Sequence, residues 1–120
     1  MNLSKKQQIY YLDIKNDSSL YNRFREAVKI LATDSGSLNK RLFKSYYYWL
    51  SVFFCAHFKE AELESRLEFI KQLMENPAKC TYYKQIEGGN LHCHWKESRK
   101  MAENIFFIYT YIVNKNNKSF

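Results

Sequence analysis

Residues 37–59 read SLNKRLFKSYYYWLSVFFCAHFK, a segment with no acidic side chain and with apolar side chains on two adjoining helical faces. Leu38, Leu42, Tyr46, Trp49, Phe53 and Ala56 recur at three- or four-residue steps, and Phe43, Tyr47, Leu50, Phe54 and Phe58 trace a second row beside them. A helix apolar over so wide an arc must be wrapped by others. The spacing therefore predicts an all-α fold, a compact bundle of four to five helices around a central buried helix over about 37–58. Ser37 is placed to cap that helix, and Gly36 can take the left-handed conformation that closes the preceding one.

Working outward, Asp17, Ser18 and Ser19 offer N-caps to a helix whose inner positions are Leu20, Phe24, Ala27, Val28 and Leu31, ended at Asp34-Ser35-Gly36. Upstream of it, Ile9, Tyr10, Tyr11, Leu12 and Ile14 serve a short helix or a strand about equally well, with helix preferred. From Glu60 to Asn76, five glutamates surround a stripe of Leu63, Leu67, Ile70, Leu73 and Met74, the pattern of an amphipathic surface helix. Its glutamates begin in the first turn, where the helix dipole favours them, Glu62 and Arg66 form an i,i+4 pair, and Pro77 ends the segment.

Residues 78–95 are the least regular part, and the pattern around Gly88-Gly89 fits a short β-hairpin over about 80–95 or an extended loop. A last helix, about 96–113, carries Met101, Ile105, Ile108 and Ile112 on one row and Ala102, Phe106, Tyr109 and Val113 on the next. The reading is one domain over 1–113 followed by a polar, frayed tail, 114–120.

Composition narrows the function classes. Aromatic residues make up 18% of the 120 residues, with one Pro and three Gly, which excludes a disordered chain. The charge-free run between Lys44 and Lys59 falls short of the roughly 20 apolar residues that span a bilayer as a helix. The N-terminal MNLSKKQQIYYLDIK lacks the apolar core of a secretory signal, and three widely spaced cysteines suit reduced thiols, so a cytoplasmic location is expected. The net charge of +7 invites a polyanion. Lysine dominates over arginine, however, and the Asn, Ile, Tyr and Phe bias is one that an AT-rich genome produces, as in many small bacterial or phage-borne genes.

Three groups of residues carry candidate chemistry. Lys40, Arg41 and Lys44, with Tyr48 a turn further on, and Lys96, Arg99 and Lys100 at the start of the last helix suit phosphate contacts and base stacking, the pattern of a nucleic-acid binder. Tyr10, Tyr11, Tyr82, Tyr83, Phe107 and Tyr111 are doublets or off-row aromatics suited to an interface with another protein or a second copy, as is Tyr48. Cys80, His92, Cys93 and His94 have zinc-ligand chemistry without the paired spacing of a known finger. A cysteine nucleophile with a histidine base is a further option, at Cys93 between His92 and His94 or at Cys55 near His57, but sequence neighbours seldom face each other, and neither an orienting group nor an oxyanion site is legible. No cofactor and no small-molecule substrate is inferred. The expected function is a non-enzymatic accessory, regulatory or inhibitory factor acting through protein–protein contacts, with polyanion binding as the alternative.

Overall fold

A computed structural model of the chain describes residues 13–14, 17–53, 57–75 and 95–116. They form an all-α bundle: α1 (Ser18–Thr33), α2 (Leu38–Ser45) continued by a π-helical turn (Tyr46–Leu50), α3 (Ala61–Glu75) and α4 (Trp95–Asn116). The 80–95 hairpin, apart from Trp95 at the head of α4, lies outside the described residues, as do the opening residues 1–12.

α1 starts where its cap demands, with the Leu20 amide donating to Asp17 Oδ1 at 3.0 Å. It buries Leu20, Phe24, Ala27 and Leu31, while Val28 is half-buried. Gly36 has φ of 103°, a conformation that L side chains rarely adopt, and it turns the chain so that Ser37 Oγ accepts from the Lys40 amide at 3.2 Å.

α1 and the α2–π segment run antiparallel and are laced by three side chains that donate to backbone carbonyls. Arg41 donates to Leu31, Ser45 Oγ to Ala27 at 2.9 Å, and Arg23 to Trp49 at 3.0 Å. The ladder explains how Ser45, fully buried, is tolerated in the core: its hydroxyl has an acceptor.

The central segment departs from a single helix over 37–58. Winding loosens at Tyr46, where the Ser51 amide reaches back five residues to the Tyr46 carbonyl at 2.8 Å, and it ends at Leu50. Residues 54–56 lie outside the described set. β-Branched and aromatic Val52 and Phe53 are weak helix formers, and Phe53 is buried without helical backbone by stacking on Phe24, ring centroids 5.6 Å apart. The first apolar row thus supplies buried Leu42, Tyr46 and Phe53 with half-buried Leu38 and Trp49. The second supplies buried Leu50 and Phe58 but leaves Phe43 half-buried and Tyr47 exposed.

The wider π turn lets two consecutive tyrosines reach the end of α3. Tyr47 donates its hydroxyl to the Met74 carbonyl at 2.8 Å, satisfying one of the last carbonyls of α3. Tyr46, fully buried, donates to Glu75 and accepts from Lys71 Nζ at 2.9 Å, while Lys71 and Glu75 pair at 3.0 Å.

α3 buries Leu63, Leu67, Ile70, Leu73 and Met74, the expected stripe, and packs antiparallel on α4. α4 buries Met101, Ile105, Ile108 and Ile112, but its second row is only partly enclosed, with Phe106 exposed. Helix continues to Asn116, three residues past the expected end at Val113. No helix among the described residues is long and apolar enough to cross a membrane.

Candidate interaction surface

Helix packing brings the two basic clusters to one end of the bundle. Ser98, buried in the first turn of α4, donates its hydroxyl to Asn39 in the first turn of α2, so Lys40 and Arg41 lie on a turn adjoining the one that bears Lys96, Arg99 and Lys100. The sequence alone leaves this juxtaposition open, because helix order in space is not written in it.

Much of that charge is engaged within the chain. Arg41 is turned onto the Leu31 carbonyl. Lys44 pairs with Asp34 at 3.0 Å, and this ammonium, with the Ser35 amide, holds the Asp34 carboxyl below the usual carboxylate range. Lys40 is exposed, with its stem alongside Gly36. Arg99 pairs with Glu103 at 3.4 Å, and Lys100 Nζ lies 5.3 Å from the centroid of Phe69. Lys96 is exposed.

Among the described residues the exposed large apolar side chains are concentrated elsewhere, at the π turn and just after it. Tyr48 is 64% exposed and Val52 51%, with Tyr47 beside them at 40%. Residues 48 and 52 stand one turn apart and belong to neither apolar row, which is the signal in the sequence that marks them. Tyr47 carries no such signal, since its row predicts an inward side chain. This edge is rigidly held: the Tyr47 hydroxyl is tied to α3, its ring packs against Phe43 and Tyr46 at 4.7 and 4.9 Å, and the next carbonyl but one, Trp49, accepts from Arg23.

Of the expected interface aromatics, Phe107 and Tyr111 are half-buried. Phe107 lies under the Arg66 guanidinium, 3.6 Å from ring centroid to Cζ, and Tyr111 has Lys115 Nζ at 5.4 Å. Tyr10, Tyr11, Tyr82 and Tyr83 lie outside the described residues, as do Cys80, His92, Cys93 and His94. Among the described residues no three His, Cys, Asp or Glu side chains group to hold a metal ion.

Comparison of the chain with models of protein families, with curated proteins and with solved structures gives no match. Two surface features stand out among the described residues, an aromatic and aliphatic edge at the π turn and a partly neutralised basic end formed by α2 and α4.

Proposed function

We propose that this protein is a non-enzymatic binding module, an accessory, regulatory or inhibitory factor that engages another protein through the π-turn edge centred on Tyr48 and Val52. The observation that carries the reading is the exposure of Tyr48, on backbone held on either side by Tyr47 and by Arg23 at the Trp49 carbonyl, with exposed Val52 one turn further on. Rigid, exposed aromatics bury area on binding with little loss of conformational freedom, which is why Tyr anchors interfaces.

Affinity capture on wild-type protein, repeated with Tyr48→Ala/Val52→Ser, tests it. A partner held by the wild type should bind the variant about 30-fold or more weakly, the loss typical of truncating an anchor, at an unchanged melting temperature. Capture that survives the double substitution refutes the assignment.

Polyanion binding is the second reading, favoured by the Asn39–Ser98 contact that gathers Lys40, Lys96, Arg99 and Lys100 at one end. Fluorescence anisotropy with DNA and RNA across about 50 to 200 mM salt separates the two. A phosphate-reading surface loses affinity steeply over that range, whereas an apolar edge hardly responds.

A further inference from the structure

Independently of the π-turn edge, a cleft of about 280 Å³ opens between α3 and α4, lined by Glu62, Ser65, Arg66, Phe69, Lys100 and Asn104. Arg66 is fixed there on two sides. It donates to Asn104 Oδ1 at 2.8 Å, and its guanidinium lies on the Phe107 ring. Asn104 is itself 6% exposed, so the guanidinium is set by a buried amide. Among the described residues the other terminal nitrogen of Arg66 is held only by Glu62, 3.8 Å away and 62% exposed, a contact too long for a hydrogen bond. One turn before Asn104, Lys100 supplies a second cation, and among the described residues no ion pair engages it. The two cations outweigh the one carboxylate, and Phe69 gives the cleft an apolar wall.

We propose that this cleft binds a small molecule bearing a carboxylate or phosphate group beside a flat apolar body. The oxyanion sits between Arg66 and Lys100, displacing Glu62, and the body rests on Phe69. A guanidinium already oriented by packing loses little freedom on forming charge-assisted hydrogen bonds, and the ammonium follows on its flexible stem.

Phenyl phosphate and benzoate, with inorganic phosphate as the ringless control, are titrated into ¹⁵N-labelled protein while the Arg66 Nε–H and Asn104 side-chain amide resonances are followed. The Arg66 Nε–H is buried with no acceptor among the described residues, which makes it a sensitive reporter of a change at the guanidinium. Saturable shifts confined to this cleft are expected from at least one aryl probe, and the probe that saturates identifies the oxyanion. Lys100→Gln, at an exposed position, weakens that probe about tenfold, the loss of one charge-assisted bond, and Glu62→Gln tightens it by removing the competing carboxylate. Both variants should otherwise retain the wild-type spectrum. Absence of saturation up to about 10 mM, which corresponds to less than ~3 kcal/mol of binding, overturns the site. Saturable shifts left unchanged by both substitutions also overturn it.

Discussion

Replacing Tyr46 with alanine should destabilise the protein about as much as replacing its larger neighbour Trp49, in keeping with the periodicity of 37–59 that ranks both as core. Tyr46 is fully buried, with its ring against Tyr47 and its hydroxyl between Lys71 and Glu75. Truncating a fully enclosed aromatic side chain costs about 3–5 kcal/mol through lost transfer energy and the cavity left behind. Lys71 and Glu75 remain paired with each other at 3.0 Å, so no orphaned charge adds to that figure. Trp49 is half-buried. Most of the ~200 Å² that a Trp can bury is nonetheless removed from water, and at ~25 cal/mol per Å² that amounts to about 3–4 kcal/mol. The Arg23 hydrogen bond goes to the Trp49 backbone carbonyl and survives the substitution. For a chain of 120 residues about 4 °C in melting temperature corresponds to 1 kcal/mol, so Tyr46→Ala should lower it by about 12–20 °C and Trp49→Ala by about 12–16 °C. Tyr46→Phe isolates the hydroxyl and should cost about 1 kcal/mol. Urea denaturation followed by circular dichroism, with equal m-values confirming an unchanged two-state transition, measures all three. A Tyr46→Ala variant that loses less than about 1 kcal/mol would refute the placement of the π turn against α3.

Gly36→Ala should cost about 1–2 kcal/mol in the same assay, because φ of 103° is unfavourable for an L side chain and a Cβ there would meet Lys40 Cδ at 3.0 Å; a neutral result would show that the α1–α2 turn relaxes freely. Asp34 titrates below its ordinary value in the folded state, so its pairing with Lys44 contributes stability that is complete above the unfolded-state pKa near 4 and is lost as pH falls through the lower folded value. Asp34→Asn should therefore flatten the acid limb of a melting-temperature profile, and a profile with an unchanged slope there would argue against the pair.

The outcomes at the π turn and at the α3–α4 cleft would divide the molecule functionally as well as structurally. One is an apolar edge proposed to hold a protein partner. The other is a polar cleft proposed to take a small anion at Arg66 and Lys100. The sequence makes the first partly visible, since Tyr48 and Val52 fall outside both apolar rows. It does not reveal the second, because Glu62, Arg66 and Phe69 belong to a different helix from Lys100 and Asn104, and no pattern within either helix tells which faces the other.

What the sequence determined by itself is the set of helices and their inward residues wherever a regular helix buries one stripe. Leu63, Leu67, Ile70, Leu73 and Met74 on α3 are all buried, as are Met101, Ile105, Ile108 and Ile112 on α4, because a 3.6-residue period has only one way to present such a stripe to a core. The caps at Asp17 and Ser37 and the turn at Gly36 were legible for a similar reason, since each rests on chemistry within three residues of itself. Tertiary structure decided the rest. In the central segment the apolar arc was wider than its neighbours could cover, and contacts made from outside the segment fixed which side chains turned in. The tyrosines at 46 and 47 reach α3, Arg23 takes the Trp49 carbonyl, and Phe24 receives Phe53 beyond the end of the helix. Tyr47 and Phe106 were left in solvent for the same reason that Lys44 and Arg41 were drawn in. A side chain's periodic position states which way it can point, while its partners, set by residues far away in the chain, determine whether that direction is toward core, ion or water.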